Sequence, residues 1–178
     1  MAETTAVRSE RGLEREQGFA RLVSQELAAA YRTAAVLLRD AGEAEDATQD
    51  ALMRAWQQWD RLRDDERAGA WFGRILVNVC RDRLRRRRTA VIGWLPDPSS
   101  PDPAARTAER EALWQAFAGL SVDQQIVVAL RYYLDLPLEA IAERTGVPPG
   151  TVKSRLHHAL QALRAIYDAQ ERTTEATR

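Results

Sequence analysis

Between Thr89 and Thr107 the sequence reads TAVIGWLPDPSSPDPAART, with four prolines, two serines and a glycine. Proline has no backbone N–H and a fixed φ, so neither a helix interior nor a central strand runs through such a stretch. Any fold must therefore be built on either side of this break. On both sides apolar residues return at steps of three and four, the helical period, and no segment alternates with the period of two that a strand needs. The expected fold is all-α: two small helical domains at 16–88 and 109–168, joined by a Pro-rich linker at 89–108. A disordered N-terminus at 1–15 and a disordered tail at 169–178 complete the expectation, because both ends are polar.

The first half divides into three helical patterns. Phe19, Leu22, Val23, Leu27, Ala30, Tyr31, Ala34, Leu37 and Leu38 form one apolar stripe. Gly42 is expected to break it, with a new helix starting near Glu43. That second helix carries Ala47, Ala51, Leu52, Ala55, Trp56 and Trp59 on its apolar side. From Asp40 to Asp50 it holds five acids and no base. Acids at a helix start complement the helix dipole, which accounts for them without any partner. An acidic face also repels DNA, so a partner it met would be protein. After the polar loop DRLRDDERAG, a third helix is expected over residues 70–88. Phe72, Ile75, Leu76, Val79, Cys80 and Leu84 make its apolar stripe. Arg74, Asn78, Arg81, Arg85 and Arg88 recur along another face, starting near Trp71. From Arg74 to Arg88 there are seven arginines against one acid, Asp82. Such a ridge is the electrostatic footprint of nucleic-acid backbone binding. An Arg-rich helix end held in solvent has the same pattern.

In the second half Leu113, Trp114, Phe117 and Leu120 form a stripe, and SVDQQIVVALRYY begins with a Ser cap. LEAIAERTG and VPPGTVKSRLHHAL then give a short helix, a turn at Gly146, and a helix opened by prolines, which the first turn tolerates. This is helix-turn-helix spacing, in which the second helix enters the DNA major groove by its N-terminal residues. Its apolar side is expected at Val152, Leu156, Leu160 and Leu163. Thr151, Lys153, Ser154, Arg155, His157 and His158 supply donors for phosphates or base edges. A helical hairpin with a solvated face would share the spacing.

Composition excludes several classes. Lys+Arg and Asp+Glu number 26 each, so the net charge is zero and no global field draws the chain to DNA. All but Lys153 of the 26 bases are arginine, a bias that by itself says little. Cys80 is the single cysteine, which forbids an intrachain disulfide and suits a cytoplasmic location; on an apolar stripe it reads as a buried structural thiol. Two adjacent histidines and one distant cysteine make a poor metal set. No phosphate loop, dinucleotide fingerprint or Ser/His/Asp set is present, so no catalytic residue, metal or cofactor is expected. Neither a signal peptide nor a membrane-spanning segment is expected.

From about Phe19 to Ile166 these parts in this order resemble an extracytoplasmic-function sigma factor, the small two-domain class of bacterial transcription initiation factors. AEDATQDALMRAW and AWFGRILVNVCRDRLRRR resemble the family's region 2, and LRYYLDLPLEAIAERTGVPPGTVKSRLHHALQALR its region 4. The resemblance implies a protein that is not an enzyme. It implies docking on the clamp helices of the polymerase largest subunit by Glu45, Asp46, Gln49 and Asp50, and contact with the flap region. It implies capture of the melted −10 element by the loop after the second helix and by Trp71, Arg74, Asn78, Arg81, Arg85 and Arg88. Thr151, Lys153, Ser154, Arg155, His157 and His158 fall at the −35 contacts. RNA polymerase core, promoter DNA and an anti-sigma protein are the implied partners. The loop departs from the family in its acids Asp64, Asp65 and Glu66, and the reading helix in Pro149 and His157–His158. A two-domain helix-turn-helix regulator that does not associate with polymerase is the alternative. A metal-dependent nuclease using the acids at 40–50 is a weaker one, since no histidine or second carboxylate cluster supports them.

Overall fold

The computed structural model of the chain describes residues 2–62, 64, 67–90 and 116–176. Among them there is no β-strand. The helices are α1 (Ala2–Leu38), α2 (Ala41–Gln58), a 3₁₀ turn (Trp59–Arg61), α3 (Ala68–Ala90), α4 (Val122–Tyr132), α5 (Leu138–Thr145) and α6 (Pro149–Ala176). Two compact units are formed, one from the chain as far as Cys80 with Glu143–Gly146, the other from Arg81–Ala142 and from Val147 onward. The greater part of the expected linker, with Leu113, Trp114, Asp65 and Glu66, lies outside the described residues.

In the first unit α1 packs on α2. The break between them comes earlier than Gly42. Arg39 adopts the left-handed conformation, with φ 57°. Asp40 is extended, and its Oδ1 accepts from the Glu43 N–H at 2.7 Å. A carboxylate at the N-cap satisfies a backbone donor that the helix leaves open, so Asp40 starts α2 and Gly42 lies inside its first turn. Ala30 and Ala34 of α1 and Ala44, Ala47, Ala51 and Ala55 of α2 are buried. Small side chains let two backbones approach closely and leave no methyl-sized gaps. Thr33 and Thr48 are buried with them, and each hydroxyl donates to the carbonyl four residues earlier at 2.7 Å, Ala29 and Ala44 respectively. Phe72, Leu76, Val77, Val79 and Cys80 of α3 are buried as well, which makes Cys80 an interior thiol.

Helices run past the bounds expected at both ends: α1 is helical from Ala2, and Arg15 is tied to α2. Arg, Glu, Leu and Gln are good helix formers, so polarity alone does not melt such a segment. At the other end α6 continues to Ala176, well into the expected tail at 169–178. Leu27 of the first stripe is 43% exposed and Leu160 of the last is 44% exposed.

In the second unit Ser121 caps α4. Its Oγ accepts from the Gln124 N–H at 3.3 Å, and Gln124 Oε1 accepts from the Ser121 N–H at 2.9 Å, a capping box. The side-chain amide of Gln125 donates to the carbonyls of Phe117 and Ala118, within the helical residues 116–119, and of Leu120 just beyond them. Ile126, Val127, Ala129 and Leu130 of α4, Ile141 of α5, and Val152, Leu156 and Ala159 of α6 form the core, and α4 packs on α6. Gly146 holds φ 72°, the left-handed position that closes α5, as its sequence context predicts.

Candidate nucleic-acid interface

On α6 burial falls at Val152, Leu156 and Ala159, steps of four and three. The opposite side therefore carries Lys153, Ser154, His157 and His158, all exposed. The two imidazoles lie 5.8 Å apart, and Ser154 Oγ donates to the Thr151 carbonyl at 3.0 Å. Thr151 and Arg155 stand at the margin, half-buried. Arg155 is set apart from the other four: its Nη2 lies 3.4 Å from Asp123 Oδ2.

Along α3, Arg74, Asn78, Arg85 and Arg88 are exposed and Arg81 is half-buried. Arg81 Nε donates to Asp123 Oδ1 at 3.0 Å, Arg85 Nη2 lies 3.6 Å from Asp123 Oδ2, and Arg88 Nη1 donates to the Leu120 carbonyl at 2.9 Å. One carboxylate, in the first turn of α4, thus faces three guanidiniums. The sequence gives no sign of this, because an acid in the first turn of a capped helix already has a local reason to be there. Trp71 is not an open platform. It is half-buried, edge-on to Trp59 at 6.0 Å, in a cluster where Phe19 meets Trp56 at 5.1 Å and Trp59 at 5.4 Å.

On α2, Glu45, Asp46 and Gln49 are exposed and Asp50 is half-buried. Asp40, counted with them by sign, is instead the cap. Met53 stands one turn beyond Gln49 and is 60% exposed, an apolar addition to this face. Its signal in the sequence is that it falls midway between Ala51 and Ala55 of the buried stripe. Among the described residues no group of three or more His, Cys, Asp or Glu is placed to hold a metal, and no helix is long and apolar enough to cross a membrane.

A helix-turn-helix with an exposed polar side, in a chain that also carries an arginine ridge, has the pattern of a helical DNA-binding protein of transcription. The family described as Sigma-70 region 2 matches residues 22–90, and Sigma-70, region 4 matches residues 110–163. The extracytoplasmic-function RNA polymerase sigma factor SigL of Mycobacterium tuberculosis is 36% identical over 150 residues, covering 80% of this chain and 85% of that one. The RNA polymerase sigma-E factor of Streptomyces coelicolor is 33% identical over 138 residues, covering 76% and 78%. Among solved structures, the sigma factor RpoE of Bartonella quintana, in complex with the anti-sigma factor NepR, superimposes with a TM-score of 0.63 at 27% identity, covering 84% of this chain and 96% of that one. The chain belongs to the sigma-70 family, within its extracytoplasmic-function branch. It is a sigma factor that directs RNA polymerase, and the free-standing regulator is not favoured, since the first helical half is matched as well as the helix-turn-helix.

Proposed function

We propose that the chain divides promoter recognition between two DNA-facing surfaces and meets polymerase by a third. Lys153, Ser154, His157 and His158 read the −35 duplex from α6, with Thr151 and Arg155 at the margin. Arg74, Asn78, Arg81, Arg85 and Arg88 hold the backbone of the melted −10 strand, and Trp71 supports that face from within the aromatic cluster. Glu45, Asp46, Gln49 and Asp50, extended by Met53, dock on the clamp helices of the largest subunit, while the second unit meets the flap region. No step calls for a catalytic residue or cofactor here, because polymerase performs the chemistry. The site of action is the cytoplasm.

The observation that carries this reading is the exposure of Lys153, Ser154, His157 and His158 together, on the opposite side of α6 from the buried Val152, Leu156 and Ala159. Asp123 refines it. Arg81, Arg85 and Arg155 face its carboxylate, so each reaches a phosphate by exchanging one anion for another. Lys153→Ala or Ser154→Ala is expected to weaken binding to −35 duplex by about 1–3 kcal/mol and to relax preference at one or two base pairs. Competition binding of holoenzyme against single-base promoter variants measures both.

Reversing charge at Glu45 and Asp46, both exposed, is expected to lower affinity for core polymerase about tenfold or more, since like charges facing across an interface cost several kcal/mol. The fold should be unchanged, because exposed helix acids contribute little to stability. A pull-down beside a melting curve tests this, and equal polymerase capture by the reversed variant counts against the docking face. An anti-sigma protein is the proposed regulator, on the likeness to a sigma factor solved in complex with one. Co-purification from the native host, with loss of transcription on adding the captured protein back, is the expected result.

A further inference from the structure

The match to Sigma-70 region 2 begins at residue 22, yet α1 runs on ahead of it, and three of its residues there hold the far end of α2. Arg15 lies with its guanidinium carbon 4.1 Å from the centre of the Trp56 ring. Its Nη2 donates to the Trp56 carbonyl at 3.0 Å, and its Nε makes an ion pair with Asp60 Oδ1 at 3.0 Å, without the alignment of a hydrogen bond. Trp56 and Asp60 stand on either side of Trp59, where α2 tightens into the 3₁₀ turn. Gly18 approaches the Trp59 indole so closely that a Cβ there would come within 3.2 Å of Cζ2, and Phe19 meets both Trp56 and Trp59 edge-on. Trp59 then touches Trp71, in the first turns of α3.

The connection from α2 to α3 therefore has both stems on one support. It leaves through Arg61 and Leu62, where the Leu62 N–H donates to the Trp59 carbonyl at 3.0 Å, and it returns at Ala68 just ahead of Trp71. We propose that Arg15 is a positioning residue for capture of the −10 strand: by clamping Trp56 and Asp60 it fixes the Trp59 junction, and with it the two stems of this connection. Arginine suits the task, since a planar guanidinium stacks on an indole face while its edge donates to a carbonyl and pairs with a carboxylate. The carbonyl it reaches is in the last turn of α2, where it also accepts from the Trp59 N–H and where positive charge is favoured. The inference rests on the reading that α3 and this connection hold melted DNA.

The test compares the full chain with Arg15→Ala and Arg15→Lys. Hydrogen exchange is measured on the free proteins, and permanganate reactivity of −10 thymines with core polymerase. Losing the stack and the hydrogen bond is expected to speed exchange at Leu62 and lower the open-complex signal, each about tenfold. Binding to −35 duplex and to core polymerase should stay within twofold, and Arg15→Lys should recover part of the opening. Unchanged exchange at Leu62, or unchanged opening, overturns the assignment. So does an Arg15→Ala variant that loses −35 binding and opening together, which marks a residue of general stability. Altered exchange in a protein whose Arg81→Ala, Arg85→Ala form opens DNA normally sinks the −10 reading, and the role proposed for Arg15 with it, while leaving the clamp on the junction standing.

Discussion

Promoter opening will fall by about a hundredfold or more when Arg81→Ala and Arg85→Ala are combined. Each charge-assisted contact to a phosphate contributes about 1.5–3 kcal/mol, and two are removed. Phosphate contacts carry no sequence information, so the loss should be alike on different promoters. The dependence of log K on log salt should become shallower by about 0.7 per contact for single-stranded DNA, or about 1.4 for the pair. Arg85 is 59% exposed, and an ion pair of that kind contributes at most about 1 kcal/mol. Arg81 is 13% exposed and hydrogen-bonded to Asp123, so a melting curve of the double variant separates lost strand contact from lost stability. Arg155 remains 3.4 Å from Asp123 in the double variant, so the carboxylate keeps a cation beside it. Permanganate footprints of −10 thymines, taken beside −35 duplex binding at several salt concentrations, measure the effect. Normal opening by the double variant would mean that α3 does not hold the strand.

Phe72→Ala will destabilise the first unit by about 3–5 kcal/mol, the range for emptying a well-packed aromatic site. Phe72 is 1% exposed and lies among Leu76, Val77, Val79 and Cys80, which are buried with it. It precedes the arginine ridge on the same helix, so the loss should act on both DNA opening and polymerase docking, unlike the arginine changes. Urea unfolding followed by tryptophan fluorescence will report it, since Trp56, Trp59 and Trp71 all belong to this unit. A midpoint shift below about 1 kcal/mol would show that the site collapses around the smaller side chain.

Much of this was legible in the chain. The helical stripes place the buried alanines of α2, the arginine ridge and the helix-turn-helix, because burial imposes the 3.6 period directly on residue type. Ser121 and Gly146 announce the start of α4 and the end of α5 through local backbone chemistry, which short motifs carry well. Misplacement came where a nonlocal contact or a stronger local one intervened. Asp40 outweighs Gly42 as the boundary of α2, since a cap is a specific hydrogen bond whereas a glycine only weakens a helix. Polar residues 2–15 stay helical, with Arg15 tied to a tryptophan and an aspartate more than forty positions on. The gathering of Arg81, Arg85 and Arg155 about Asp123 joins positions far apart in sequence, which no spacing rule reveals.

A chain that confers promoter choice on polymerase and opens the promoters it chooses must do so in runoff transcription from a randomised promoter library, with core polymerase and the purified chain. Transcripts absent with core alone, enriched for one shared −35 and −10 pair, are expected. Lys153→Ala should relax the −35 preference, and the double arginine variant should lower yield evenly. A library transcribed equally with and without the chain, while the chain binds duplex DNA on its own, would contradict this role.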